Sequence, residues 1–428
     1  MRQSVVVPRM TAALVVFVVT YLVLATPLLA TLGLDRPAAA LVGAVAMAAF
    51  GGLGLDGALA AIDLHVITLL LGVLLIAAYL IEAQFFRLAA YHVLTRTRSA
   101  RSLLWGLTFL SGGLSALLVN DTVCVVLTPL VVAVVVEARL PALPYLLALS
   151  AASNIGGVVS FSGNPQNMLV GQAAAGHPGF AQYLALTLPV GVVCLVGNAA
   201  LLVALFGKQL PHGPLVERAP PKPAIDRVLT AKALAALALF AGLAIAGVAL
   251  AGAAMTAAAL LVVTARVPPR RALATVDWPL LVFFAALFVV VRGLARTGAI
   301  DEIYQVLAPA IDRGDALGLL AFVGLVVVGS NLVSNVPLVL IAVEWVPHMR
   351  DPQWGWVMLA VASTLAGNLT LFGSVANVIV FESAGPRGEI GFLRFLRYGA
   401  LLTIVSLALA FGVLELERAL GYGALLGI

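Results

Sequence analysis

The chain contains runs so long without a charge that water cannot be their solvent. No Asp, Glu, Lys or Arg occurs between Arg9 and Asp35, between Arg139 and Lys208, or between Lys232 and Arg266. A membrane-spanning helix needs about 20 apolar residues, so the middle run, 68 residues long, holds more than one crossing. Only 10% of the residues are charged, whereas a soluble domain carries roughly 25%. The chain therefore reads as an all-α polytopic membrane protein whose main partner is the lipid bilayer. Its net charge of +5 does not point to nucleic acid, because the basic residues sit in short connections between apolar runs, where they act as topology signals. The first apolar run follows Arg2 and Arg9, is too long for a signal peptide and lacks a small-residue cleavage site, so it reads as the first helix.

The most polar stretch, Lys208 to Thr230, carries five prolines among charged residues and reads as a linker. It divides the chain into residues 1–207 and 231–428, with 208–230 between them. The two parts repeat. Ala61-Ile-Asp63 opens an apolar helix as Thr275-Val-Asp277 does, and Ser115 and Asn120 match Ser330 and Asn335. Residues 147–170 align without gaps on 357–380, an offset of 210 that pairs Ser153 with Ser363, Gly157 with Gly367, Ser160 with Thr370, Gly163 with Gly373 and Asn167 with Asn377. The matches are small and amide residues rather than the Leu and Val that any two membrane helices share.

Each part offers three plain helices (about 11–32, 38–54 and 63–81; then 231–252, 254–266 and 277–292), a long segment (102–137; 316–346), a segment broken by Gly and Asn (143–171; 354–381) and a last helix (182–207; 395–414). As one helix, 102–137 would measure about 54 Å, too long for a hydrocarbon core of about 30 Å. It breaks naturally at Asn120-Asp121, so 102–137 and 316–346 read as re-entrant hairpins. Each half then has five crossings, and an odd number turns the second half over, giving an inverted repeat. With the N-terminus outside, 17 of the 24 basic residues fall inside, as the positive-inside rule requires. This predicts an inner-membrane protein with both termini periplasmic and the linker cytoplasmic.

Helices broken inside a bilayer expose backbone groups that only protein or a water-filled cavity can satisfy. Four breaks recur at equivalent places: Asn120-Asp121-Thr122; Ser153-Asn154 through Gly163-Asn164 to Asn167; Ser334-Asn335; and Gly367-Asn368-Leu-Thr370 through Gly373 to Asn377. Amides and hydroxyls there either cap half-helices or bind solute, and the four-fold set points to a solute site. Asp121 stands apart as an acid near the centre of a charge-free segment, with 19 residues separating it from Arg101 and 15 from Glu137. An intramembrane carboxylate is costly and marks a proton or ion pathway. Its counterpart is Val336, so only one half would couple to the ion. Asp63 and Asp277 sit where helix N-caps belong, and Glu344 lies either at the cavity or at the outer interface. The five histidines are scattered and the two cysteines, Cys124 and Cys194, are lone, so neither a metal site nor a disulfide is expected. No Lys or Arg falls within the breaks, which suits a neutral hydroxylated solute better than a multiply charged anion. No nucleophile and base pair, His-Glu-x-x-His or Gly-x-x-x-x-Gly-Lys motif occurs, which argues against an enzyme or a primary pump.

At Asn120-Asp121-Thr122, Asn154-Ile155-Gly156, Gly163-Asn164-Pro165-Gln166-Asn167, Ser334-Asn335-Val336-Pro337 and Gly367-Asn368-Leu369 through Gly373 to Asn377, the chain resembles the ion transporter superfamily. The branch is that of arsenite efflux permeases and sodium/proton antiporters, with plant silicic-acid efflux transporters and bacterial YbiR-like anion transporters. The resemblance covers nearly the whole chain, although the linker is much shorter than in plant members. It implies a scaffold domain with a moving, elevator-style transport domain, a homodimer through the scaffold helices, and proton-driven export of small oxyanions or their neutral acids. The expectation is a secondary active transporter without cofactor, coupled to H+ through Asp121. Asn120, Thr122, Ser153, Asn154, Gly163, Asn164, Asn167, Asn335, Gly367, Asn368, Thr370, Gly373 and Asn377 frame its site. The alternative is a sodium-coupled carboxylate or anion importer using the same amides as Na+ ligands.

Overall fold

The structure, a computed structural model, describes residues 3–25, 33–211, 213 and 222–427. Residues 26–32 of the expected first helix, Arg2 and most of the linker, Arg218 included, lie outside the described residues. Within them the chain is all-helical, and seven helices are long and apolar enough to cross a membrane. Ten helices precede the linker: α1 (Gln3–Ala25), α2 (Arg36–Phe50), α3 (Gly54–Ala61), α4 (Leu64–Glu82), α5 (Phe85–Arg96), α6 (Ala100–Leu117), α7 (Asn120–Glu137), α8 (Ala142–Gly157), α9 (Pro165–Ala173) and α10 (Phe180–Phe206). Ten follow it: α11 (Arg227–Ile245), α12 (Leu250–Thr264), α13 (Pro269–Thr275), α14 (Trp278–Ala295), α15 (Ala299–Ile311), α16 (Ala316–Val333), α17 (Asn335–Ala342), α18 (Pro352–Ala366), α19 (Val375–Ser383) and α20 (Phe392–Ala419), with a short α21 (Tyr422–Leu426) beyond.

Six of the ten aspartates start helices. Asp35, Asp63, Asp226, Asp277, Asp315 and Asp351 each accept a hydrogen bond from a backbone N–H of the first turn they precede. A carboxylate there satisfies orphan donors and faces the positive end of the helix dipole. Asp63 and Asp277 thus have a structural duty. Packing pairs the two parts crosswise: α2 lies on α14, α4 on α12, and α10 on α20. At 27 and 28 residues, α10 and α20 reach about 40 Å, a full crossing. Helices α8 and α9, of 16 and 9 residues, each cover only part of one.

Three details differ from the sequence reading. The long segment breaks at Leu118-Val119, both extended, rather than at Asn120-Asp121; the Asn120 N–H is held by the Gly163 carbonyl at 2.9 Å, so Asn120 already opens the returning helix. The second long segment breaks at Ser334 alone, whose φ is 75°, and the helix after the break, α17, has only eight residues. The short helices α3, α5, α13 and α15 escaped notice because they carry charges or stop after two or three turns, so no long apolar run marks them.

Candidate functional site

The tips of the two broken pairs and the gaps between α8 and α9 and between α18 and α19 meet in one place. Asn120, Asp121, Pro165, Gln166, Ser334, Asn335, Val336, Gly373, Ser374 and Val375 line a cavity of about 30 Å³ closed on one side by Leu280, Phe283 and Phe284 of α14. The expected pairing of Asp121 with Val336 is therefore a juxtaposition across a single cavity.

A network of buried amides holds this region together. Asn154, at the end of α8, donates to Asn368 Oδ1 at 2.8 Å and accepts from Asn120 at 2.9 Å and Ser374 at 3.1 Å. Asn164 caps α9 by accepting from the Asn167 N–H, and its amide donates to Thr364 at 3.0 Å. Thr364 in turn donates to Asn167 Oδ1 at 3.1 Å. Four of these bonds join residues about two hundred positions apart, so neither half builds the site alone.

One arrangement occurs twice, 210 residues apart. Asn167 donates to the carbonyls of Gly157 and Ser160 at 2.9 and 3.3 Å. Asn377 donates to those of Gly367 and Thr370 at 2.8 and 3.0 Å. Each amide satisfies the carbonyls that an interrupted helix leaves open, as a break within a bilayer demands. The backbone also needs glycine here. A methyl on Gly156 would overlap the Gly112 carbonyl of α6, and one on Gly163 would overlap Gly157. Gly367 is pressed in the same way by Asn335 and Ser374, so its Cα hydrogen gives the Asn335 amide room.

The remaining expected residues fall into place unevenly. Asn335 lines the cavity. Ser153 is fully buried, accepting from the Cys124 thiol at 3.1 Å and donating to Ser150 O at 2.8 Å, and does not line it. Thr370 donates to Asn331 Oδ1 at 3.0 Å, one shell out. Thr122 is half-buried on the flank of α7 and does not line the cavity. Glu344 lines a different cavity of about 370 Å³, with Asp63, Gln172 and Arg292. Sequence reasoning missed Thr364, Asn331 and the α14 wall. Thr364 adjoins the aligned Ser363 and had a signal in that position; Phe283 and Phe284 look like any apolar helix residues and had none.

Among the described residues, several buried polar atoms have no hydrogen-bond partner, including Asn120 Oδ1, Asn335 Oδ1, Asn368 Nδ2, Ser115 Oγ and Ser330 Oγ. Such orphans are rare in folded proteins and call for an explanation. Four of the five form matched pairs, Ser115 with Ser330 and Asn120 with Asn335.

The CitMHS family, described as citrate transporter, matches residues 13–362. The chain is 30% identical to the silicon efflux transporter LSI3 of Oryza sativa subsp. japonica, over 88% of this chain and 91% of that one. It is 24% identical to a putative transporter arsB of Dictyostelium discoideum, over 90% and 88%. With a 46 kDa membrane protein of Mycobacterium leprae (strain TN) the identity is 29%, over 93% and 96%. Among solved structures, the YdaH transporter of Alcanivorax borkumensis superposes with a TM-score of 0.58 over 96% of this chain and 99% of that one, at 18% identity. That last likeness is one of fold.

Proposed function

The chain belongs to the CitMHS citrate transporter family and is a multi-pass membrane transporter of the secondary class, not an enzyme; we propose that it exports a small hydroxylated metalloid or inorganic oxyanion, such as silicic acid or arsenite, in exchange for protons. One observation carries this reading. Asp121 is the sole titratable side chain among the residues lining the central cavity, and no Lys or Arg lies among them. Two like charges about 5 Å apart at an effective dielectric of 20 repel by about 3 kcal/mol. A tricarboxylate would meet that repulsion with no cation among the lining residues to offset it, whereas a neutral acid with several hydroxyls meets amides, hydroxyls and one exchangeable proton.

In this proposal Asp121 loads and releases the proton. Asn120, Asn335, Gly373 and Ser374 face the solute, while Asn154, Asn164, Asn167, Asn368 and Asn377 hold the broken backbone around it. The two parts act as inverted repeats, 1–207 and 231–428, joined by the linker 208–230. The pairs α6–α7 and α16–α17 enter from opposite faces of the inner membrane. Helices α6–α10 and α16–α20 move as a transport domain against a scaffold of α1, α2, α4, α11, α12 and α14, through which two copies pair. Both termini face the periplasm.

A second reading has its own support. The matched orphan oxygens of Ser115 and Asn120, and of Ser330 and Asn335, are the hard ligands that Na+ takes, which suits a sodium-coupled carboxylate importer. Proteoliposomes given silicic acid, arsenite, borate or citrate under imposed pH or Na+ gradients separate the two. The expected result is pH-driven flux of a neutral hydroxylated acid that Asp121→Asn abolishes, with gradient-free exchange retained. Na+-driven citrate uptake that Asp121→Asn leaves intact would sink the proton reading.

A further inference from the structure

Two cavities lie end to end along the same three helices. The central one is lined by Pro165 and Gln166 of α9, Phe284 of α14 and Val336 of α17. The outer one is lined by Leu169 and Gln172 of α9, Phe288 and Arg292 of α14, and Leu340 and Glu344 of α17. It measures about 370 Å³ against about 30 Å³ for the central one. Each helix thus runs in the same sense from the first cavity to the second, and α17 packs on both α9 and α14. Asp63, at the start of α4, also lines the outer cavity, and α4 packs on α9 and α14 as well.

Between the cavities lies one layer of side chains. Leu169, Phe288 and Leu340 stand three or four residues beyond Gln166, Phe284 and Val336, which is one helical turn or about 6 Å. They are 5%, 7% and 8% exposed, so each shows an edge to the outer cavity while its bulk is packed. One turn further out the lining changes character. Arg292 and Glu344 are exposed, and neither belongs to an ion pair among the described residues. A charged side chain within a spanning helix faces protein or a water-filled cavity, and Arg292 lies inside the candidate span of α14. The outer cavity is therefore a wet one with an apolar floor a single side chain thick.

We propose that the outer cavity is the port of the central one: solute passes through it, and Leu169, Phe288 and Leu340 are the gate that sets what passes. This rests on the reading of the central cavity as the solute site, and adds its route to one face and the side chains that select. Two of the three come from α9 and α17 and the third from α14, so a displacement of α14 against the other two parts the layer. A neutral solute crosses such an apolar layer at far less cost than a charged one, which suits the hydroxylated acid proposed above. Three crossings, α11, α12 and α14, lead away from a cytoplasmic linker. On that topology the port opens to the periplasm.

Cysteine modification tests the port and the gate separately. The native Cys124 and Cys194 are buried, so the parent protein supplies the background. Ala173→Cys and Ala295→Cys place thiols in the lining of the outer cavity. Gln305→Cys places one at an exposed position of α15 that lines neither cavity. A membrane-impermeant thiosulfonate is applied to spheroplasts and to inverted vesicles, so the face is read rather than assumed. Flux of silicic acid under a pH gradient, and of citrate under a Na+ gradient, is compared with each variant's own unmodified rate. Modified Ala173→Cys and Ala295→Cys are expected to lose most of their flux, and modified Gln305→Cys none. Val375→Cys, inside the central cavity, should react slowly from the port side, and several-fold faster once Leu340→Ala or Phe288→Leu is added. Either gate variant without Val375→Cys should stay unreactive; labelling of one there reports unfolding, and the other then carries the test. Unchanged flux after modification at both outer positions overturns the port. Equal labelling of Val375→Cys with and without the widened layer overturns the gate, and that measurement needs no flux. Which solute moves decides the proposed function separately.

Discussion

Asn154→Ala removes the side chain that ties the two halves together, and its cost can be worked from the bonds it makes. Asn154 is 1% exposed. Its amide oxygen accepts from Asn120 and Ser374, and its nitrogen donates to Asn368. Asn120 Oδ1 and Asn368 Nδ2 already have no partner, so after truncation both side chains are buried with no hydrogen bond at all. At about 1–3 kcal/mol for each buried group left unsatisfied, the two set an upper figure of about 6 kcal/mol. Interhelical polar bonds in membrane proteins average about 0.6 kcal/mol, so the four bonds lost, counting the long one donated to Asn377 Oδ1, set a lower figure of about 2 kcal/mol. The assay is reversible unfolding by SDS in mixed micelles, with Ser150→Ala as the control. The Ser150 hydroxyl bonds only within its own helix, to Leu147 O, so its loss should cost no more than about 1 kcal/mol. If Asn154→Ala unfolds no more easily than Ser150→Ala, the amide network is not what joins the halves. Solute flux should fall for every solute alike, because the cavity walls come from both halves.

Other outcomes follow from single contacts. Gly156→Ala should destabilise by about 1–3 kcal/mol or more, because backbone on α6 cannot yield to a methyl; Gly113→Ala, with nothing within 4 Å of the added carbon, should fold as the parent does in the same SDS-unfolding assay. Asn167→Ala and Asn377→Ala should both loosen the break each one spans. Asn167 should cost more by about 1 kcal/mol, since it alone also donates to Tyr183; equal losses would show that this extra bond adds nothing. Ser334→Gly should raise the unfolding midpoint, because a non-glycine residue at φ 75° stores about 1 kcal/mol or more and Gly adopts that conformation freely; a lower midpoint would mean that the Ser334 side chain is needed.

The class of the protein and the location of its breaks were legible in the chain itself. A 68-residue run without charge has only one physical solution, and polar residues within such a run must find partners inside the protein. That is why Asn120, Asn154, Asn167, Asn335, Asn368 and Asn377 stood out: each is costly in a bilayer unless bonded. The same logic could not say to what they bond. Thr364 meets Asn164 and Asn167 about two hundred residues away, and only the packing of α18 against α8 and α9 decides that. Thr122 adjoins Asp121 yet points elsewhere, because successive helical residues face about 100° apart. A sequence sets the energetic demand of each polar group, and only the tertiary structure decides which neighbour meets it.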